Sequence, residues 1–396
     1  MLSGSNQIPA VLLVALLVSA GSAPLAWTYH TGNYLWAVAV SDDGLYAIAG
    51  SDDMRTYFFD TAFAKGEPLW LHESSGYVRQ VAISRNGSRA AAGDASGNLF
   101  FFRSQESGAP AWTFRANASI EALSMTRDGD YLAAGDRDGD VFVFKTSLDT
   151  PLVWRDSIPS GVLALSFSES GALVATGAQG GLYYYGEVPS RLEYTWSFEN
   201  TTSFPKLVMT EDASYIIAGA SNGHIYLLDS LGQLLGNESI GGAVSALAIS
   251  LKTRRVVAGS TNGGVSLFSL GSRLERLAML DTRRPVTSAV VSEDGQRISV
   301  ASLNGTVFMF DGFLAKPLWA FNTGAIVHSL SMSSKGLVMA AGSDTGSIYL
   351  FNEKLSKAAY PWYELVPGVV ILILFAVVVL AWRWRRMDVL PRKKDY

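Results

Sequence analysis

The chain of 396 residues contains no cysteine. That absence removes disulfide stapling, thiolate metal sites and cysteine nucleophiles together. Histidine is almost as scarce: His30, His72, His224 and His328 are the four, and no two lie close enough in sequence to suggest a histidine metal motif. Charged residues make up only 17%, against 48% hydrophobic ones, so a large core is available and extended disorder is disfavoured. No Ser-His-Asp spacing and no phosphate-binding glycine loop appears.

What is present begins with two apolar ends. Ile8–Ala20 (IPAVLLVALLVSA) has the length of a signal-peptide core and is followed by small residues. Residues 1–23 are therefore expected to be a signal peptide or N-terminal anchor. Leu365–Trp382 is eighteen residues without a charge, enough to cross a hydrocarbon core, with Tyr360, Trp362, Tyr363, Trp382 and Trp384 at its borders. Residues 365–382 are expected to be a transmembrane helix, reached through a linker over 353–364. The tail over 383–396 has six basic and two acidic residues, which the positive-inside rule places in the cytoplasm. Removing those from the 31 basic and 35 acidic residues of the whole chain leaves the remainder acidic by eight, which argues against nucleic acid as a partner. Five N-x-S/T triplets, at Asn86, Asn117, Asn200, Asn237 and Asn304, are glycosylation candidates and agree with an extracytoplasmic location.

Between the ends the chain repeats. A glycine closing a small-residue strand recurs at Gly50, Gly93, Gly135, Gly177, Gly219 and Gly259, then as Ala301, then at Gly342, with spacings of 43, 42, 42, 42, 40, 42 and 41. Four short strands per period of about 42 residues predict an all-β fold: one eight-bladed β-propeller over 24–352. Apolar residues one and three positions before the first-turn Ser or Thr, such as Val38 and Val40, predict a buried inner strand. Tryptophan recurs at Trp27, Trp70, Trp112, Trp154, Trp196 and Trp319, a structural series. If the first strand of each repeat is the outer strand of the preceding blade, AWTYHT (26–31) closes the ring against SIYLFN (347–352). Both chain ends then leave from one face.

The pattern V-x-x-L-x-x-S-x-D-G, a small-residue strand, and G-x-V-x-x-F resembles a WD-repeat blade, although the terminal Trp-Asp pair is absent throughout. NGHIYLLDSLGQLL (222–235) resembles a pyrroloquinoline-quinone-like repeat, and membrane-anchored propellers of this hybrid look occur in archaea. The resemblance implies fold, not activity. It raises a quinone-dependent dehydrogenase as the alternative, but the adjacent-cysteine disulfide typical of many such enzymes is impossible here. No cofactor is expected, and the chain reads as non-enzymatic.

One stretch could be a metal site. DRDGD places Asp136, Asp138 and Asp140 two apart around a glycine, as calcium loops do. Equivalent turns in other repeats read DASGN, ASNGH and STNGG, and no distal bidentate Glu follows, so a hairpin turn is the favoured reading. The binding candidates lie five positions before the turn Ser or Thr. There Trp36, Arg79, Glu121 and His328 are bulky or charged, while Leu163, Pro205, Ser245 and Thr287 are bland. Trp and Arg are enriched at interaction hot spots. The expected function is an interaction scaffold or accessory subunit anchored to the cell membrane with its propeller outside the cytoplasm, binding a protein of the cell envelope. A single-span surface sensor is a further alternative.

Overall fold

The computed structural model describes residues 22–63, 65–104, 106–149, 151–187, 193–314 and 316–358. They form eight four-stranded antiparallel sheets, each a meander from an inner to an outer strand. Blade one comprises Leu35–Val40, Tyr46–Ser51, Arg55–Asp60 and Trp70–Glu73. In blade eight, Val327–Met332, Val338–Ser343 and Ser347–Asn352 are completed by the N-terminal strand Leu25–His30, whose Trp27 pairs with Leu350 and Tyr29 with Ile348. The ring therefore closes by joining the two ends of the propeller, which covers the edge of Ser347–Asn352 that would otherwise be open to another chain.

Local chemistry explains the repeated letters. In seven blades the Ser or Thr after the inner strand accepts from the amide that starts the next strand, as Tyr46 N to Ser41 Oγ, Arg89 N to Ser84 Oγ and Tyr131 N to Thr126 Oγ1, all 3.0 Å; in blade six Ser250 Oγ instead donates to Glu293 O. The recurrent glycine answers a different need, close approach between blades. A Cβ at Gly93 would lie 2.5 Å from Ile120, and one at Gly135 would lie 2.4 Å from Val162, in each case the first residue of the next inner strand.

Packing corrects one expectation. The fully buried layer is formed by the second and third strands, with Ala47, Ile48, Ala49, Phe58 and Phe59 at zero exposure. Val38 and Val40 of the inner strand are buried, but Ile83, Met125, Phe167, Ile249 and Met332 are only half-buried. An inner strand borders the channel and has a sheet neighbour on one side only. The tryptophans act between blades, as Trp27 against Phe59 at 5.2 Å, Trp70 against Phe102 at 4.9 Å and Trp112 against Phe144 at 5.3 Å. Trp27 and Trp319 are buried, whereas Trp70, Trp112, Trp154 and Trp196 sit half-buried.

The chain divides into two compact units, one ending at Asn352 and one running from Glu353. The expected linker begins with a short helix, Glu353–Ala358. Among the described residues no helix is long and apolar enough to cross a membrane. The signal-peptide core, the span over 365–382 and the basic tail lie outside the described residues.

Candidate functional site at the channel mouth

Meandering sheets give the disk two faces. One, called the upper face here, carries the loops from each outer strand to the next blade and the turns between second and third strands. The lower face carries the other two sets and both ends of the propeller.

At the upper end of the inner strands the pairing register slips in seven of eight blades. The slips fall between Leu35 and Ala37, Val78 and Gln80, Ile120 and Ala122, Val162 and Ala164, Val244 and Ala246, Val286 and Ser288, and Val327 and Ser329. The residue skipped in each case is Trp36, Arg79, Glu121, Leu163, Ser245, Thr287 or His328. A β-bulge leaves one residue unpaired and re-aims its side chain. The positions picked out by counting from the turn are thus the bulge residues. Blade five is the exception: its inner strand starts at Lys206, directly after Pro205, which has no N–H to pair.

Three of the four bulky candidates come together. The Trp36 and His328 rings lie 4.7 Å apart, and the Arg79 guanidinium carbon stands 5.4 Å above Trp36. Tyr77 joins from the other side, 5.9 Å from the same guanidinium, and Tyr34 stacks on Trp36 at 6.3 Å. Tyr34, Trp36 and Tyr77 are 45%, 37% and 42% exposed, so this is an open aromatic and cationic surface over blades eight, one and two. Arg79 Nε lies 3.7 Å from Asp52 Oδ1, beyond hydrogen-bond reach, and both atoms are shielded from water without a hydrogen-bond partner. The pair holds charge in place yet leaves bonding capacity unused. Burial pushes the His328 imidazole below its ordinary pKa, partly opposed by the Asp344 carboxylate, which favours the neutral ring. Glu121 is separate from this stack and pairs with Arg137 of its own blade at 3.1 Å.

Sequence reasoning missed Tyr34 and Tyr77, although each stands two residues before a bulge residue. It also missed the opposite end of the channel. There residues that follow the turn Ser or Thr of several blades meet, and Arg127 pairs with Asp42 at 2.5 Å, Glu293 at 3.5 Å, Glu169 at 3.8 Å and Glu211. Burial acts to lower the guanidinium pKa, but Asp42, Glu293 and Glu211 outweigh it and raise it, so the cation is held firmly. A cavity of about 190 Å³ lies beside Arg127, lined by Met125, Phe167, Met209 and Ile249 among others. The lower end is clasped and the upper end is the open mouth.

The acidic turn is occupied by its own hairpin. Asp136 Oδ1 accepts from the amides of Asp138 and Asp140 at 3.0 and 2.9 Å, and Asp140 pairs with Arg155 at 2.5 Å and with Ser157. Burial, foremost, raises the Asp136 pKa. Among the described residues no group of three or more acidic or histidine side chains is arranged to hold a metal ion. Of the sequon asparagines, Asn86, Asn117, Asn237 and Asn304 are exposed and Asn200 is half-buried. Asn117, Asn200 and Asn304 lie on the upper face.

Comparison with known proteins agrees with this architecture. The family model for the WD domain, G-beta repeat, matches residues 25–60 and 108–145. Autophagy-related protein 18 of Dictyostelium discoideum is 30% identical over 143 residues, which span 34% of this chain and 38% of that protein. Sqt1 of Saccharomyces cerevisiae superimposes with a TM-score of 0.72 at 12% identity, covering 84% of this chain and 99% of its own. Chaetomium thermophilum Sqt1, solved bound to the N-terminus of ribosomal protein L10, gives 0.72 at 15% identity, covering 84% and 100%. At those identities the likeness concerns the fold. The chain carries WD repeats on an eight-bladed β-propeller.

Proposed function

We propose that this chain is a non-enzymatic interaction scaffold, anchored to the cell membrane with its propeller outside the cytoplasm, whose upper mouth receives a segment of a protein partner. The observation that carries the reading is the bulge-presented stack of Trp36, Arg79 and His328, flanked by Tyr34 and Tyr77. Exposed aromatic rings beside an incompletely bonded arginine are what hot spots are made of. A propeller of the same architecture has been solved with a peptide terminus bound, which supports a segment rather than a whole domain as the ligand. The apolar run 365–382, the basic tail and the five sequons support anchorage with the propeller outside.

Crosslinking in native membranes identifies the partner, and capture by the Trp36→Ala and Arg79→Ala chains then tests the mouth. Each substitution should weaken capture by about 2 kcal/mol, roughly thirtyfold, while the protein remains folded. Undiminished capture by both would exclude this sector. External protease should reach the propeller in intact cells while a tag after Tyr396 stays protected. The reverse pattern would invert the orientation.

A further inference from the structure

The lower face has a feature that the mouth does not explain. At the corner between third and outer strands, Phe63, Leu148, Leu231 and Phe313 are 54%, 41%, 73% and 60% exposed. They belong to blades one, three, five and seven, so the tips recur a quarter-turn apart around the ring. The described part of the blade-two corner (Ser104 and 106–111) and the blade-six corner (Gly271, Ser272, Arg273) carry no large apolar side chain by contrast.

These tips are built, not loose. Asp60 Oδ1 accepts from the amide of Ala62 at 2.8 Å, Asp229 Oδ1 from Leu231 at 3.0 Å and Asp311 Oδ1 from Phe313 at 3.2 Å. The same aspartate turn therefore holds the apolar residue itself in blades five and seven, and in blade one it holds Ala62, the neighbour of Phe63. Each tip has a second exposed leucine behind it, where the outer strand begins: Leu69, Leu152, Leu234 and Leu318.

We infer that this face rests on a lipid bilayer, with the four tips entering the interfacial zone. The occupant follows from the spacing and from the chain. Four separated tips around a disk make no contiguous patch for one protein partner, whereas a plane meets all of them at once. Both ends of the propeller also leave from this face, with the Asn352 amide donating to Pro24 O at 2.9 Å, and the apolar run begins at Leu365. Tethering so close raises the effective concentration of bilayer, so contacts that are individually weak suffice. This inference rests on the anchorage proposed above for its geometry.

The absence of cysteine makes the test clean, because each introduced thiol is unique. Phe63→Cys, Leu231→Cys and Phe313→Cys in the full chain, with Leu303→Cys on the upper face as control, are labelled with bimane. The proteins are reconstituted in phosphatidylcholine vesicles with or without nitroxide-bearing acyl chains. Lower-face labels should lose about half or more of their emission to the nitroxide, as interfacially inserted groups do, and the Leu303 label should not. Equal quenching on both faces overturns the inference. Labels shielded from aqueous iodide yet untouched by the nitroxide, increasingly so at higher protein density, would make a second copy the occupant and also overturn it. Retention after alkaline carbonate extraction tests the anchor separately. A chain that is extracted but still quenched when added to vesicles loses the anchor and keeps the lower-face contact.

Discussion

Arg127 is the side chain whose removal the structure predicts most sharply. It is 20% exposed and faces carboxylates from blades one, four, five and seven, with Asp42 taking both Nε at 3.0 Å and Nη2 at 2.5 Å. Unit charges about 4 Å apart interact by roughly 4 kcal/mol at an effective dielectric of about 20, before desolvation is subtracted. Breaking a buried pair by deleting one partner costs roughly 3–5 kcal/mol. Asp42, Glu211 and Glu169 are 29%, 36% and 45% exposed, so water takes up part of the loss. A figure of about 2–3 kcal/mol for Arg127→Met is therefore expected, or a melting temperature lower by roughly 3–4 °C in a domain of this size. Lys252 at 3.4 Å from Glu293 and Arg85 at 3.7 Å from Asp42 are too few to neutralise the remaining carboxylates. Mutual repulsion among the carboxylates left behind thus adds to the deficit. Adding Asp42→Asn and Glu211→Gln to Arg127→Met should recover most of the loss at neutral pH. Thermal unfolding of the full chain, followed by tryptophan fluorescence, measures all of this. A variant melting within about 1 °C of wild type would refute the clasp.

Two further outcomes follow from the same coordinates. Deleting Trp27–His30 removes the strand that pairs with Ser347–Asn352 and exposes its edge, so the melting temperature should fall or the protein aggregate; an unchanged melt would refute closure by this strand. Calcium should leave the melting temperature unmoved and Asp138→Ala should be nearly silent, because Asp136 and Asp140 are already engaged by amides, Arg155 and Ser157; a calcium shift abolished by Asp138→Ala would restore the metal site.

How much of this the letters disclose depends on whether an interaction repeats. The eight blades, the ring closure and the bulge position are legible because one steric problem is solved eight times. The glycine under Ile120 and Val162 and the hydroxyl capping seven of the turns recur with the period. The Arg127 clasp is invisible by the same logic. It joins residues one, two and four repeats apart, and the position after the turn hydroxyl holds Asp42, Arg85, Arg127, Glu169, Glu211, Leu251, Glu293 and Ser334, with no common letter. Only knowing that Asp42, Arg85, Arg127, Glu169, Glu211 and Glu293 meet in space turns an uninformative column into a charge cluster. The channel mouth lies between these cases. Its backbone device is periodic and could be counted out, but the stacking of Trp36 on His328 links positions 292 residues apart that become neighbours only when the ring closes. The lower-face tips sit in corners of variable length, so counting fails, although Asp229-Ser-Leu231 and Asp311-Gly-Phe313 share a turn grammar. Repetition builds the scaffold, and departures from it carry recognition. A residue of this chain is therefore best judged against the same position in its seven sister blades: Trp36 stands out because Ser245 and Thr287 show that the fold does not need an indole there.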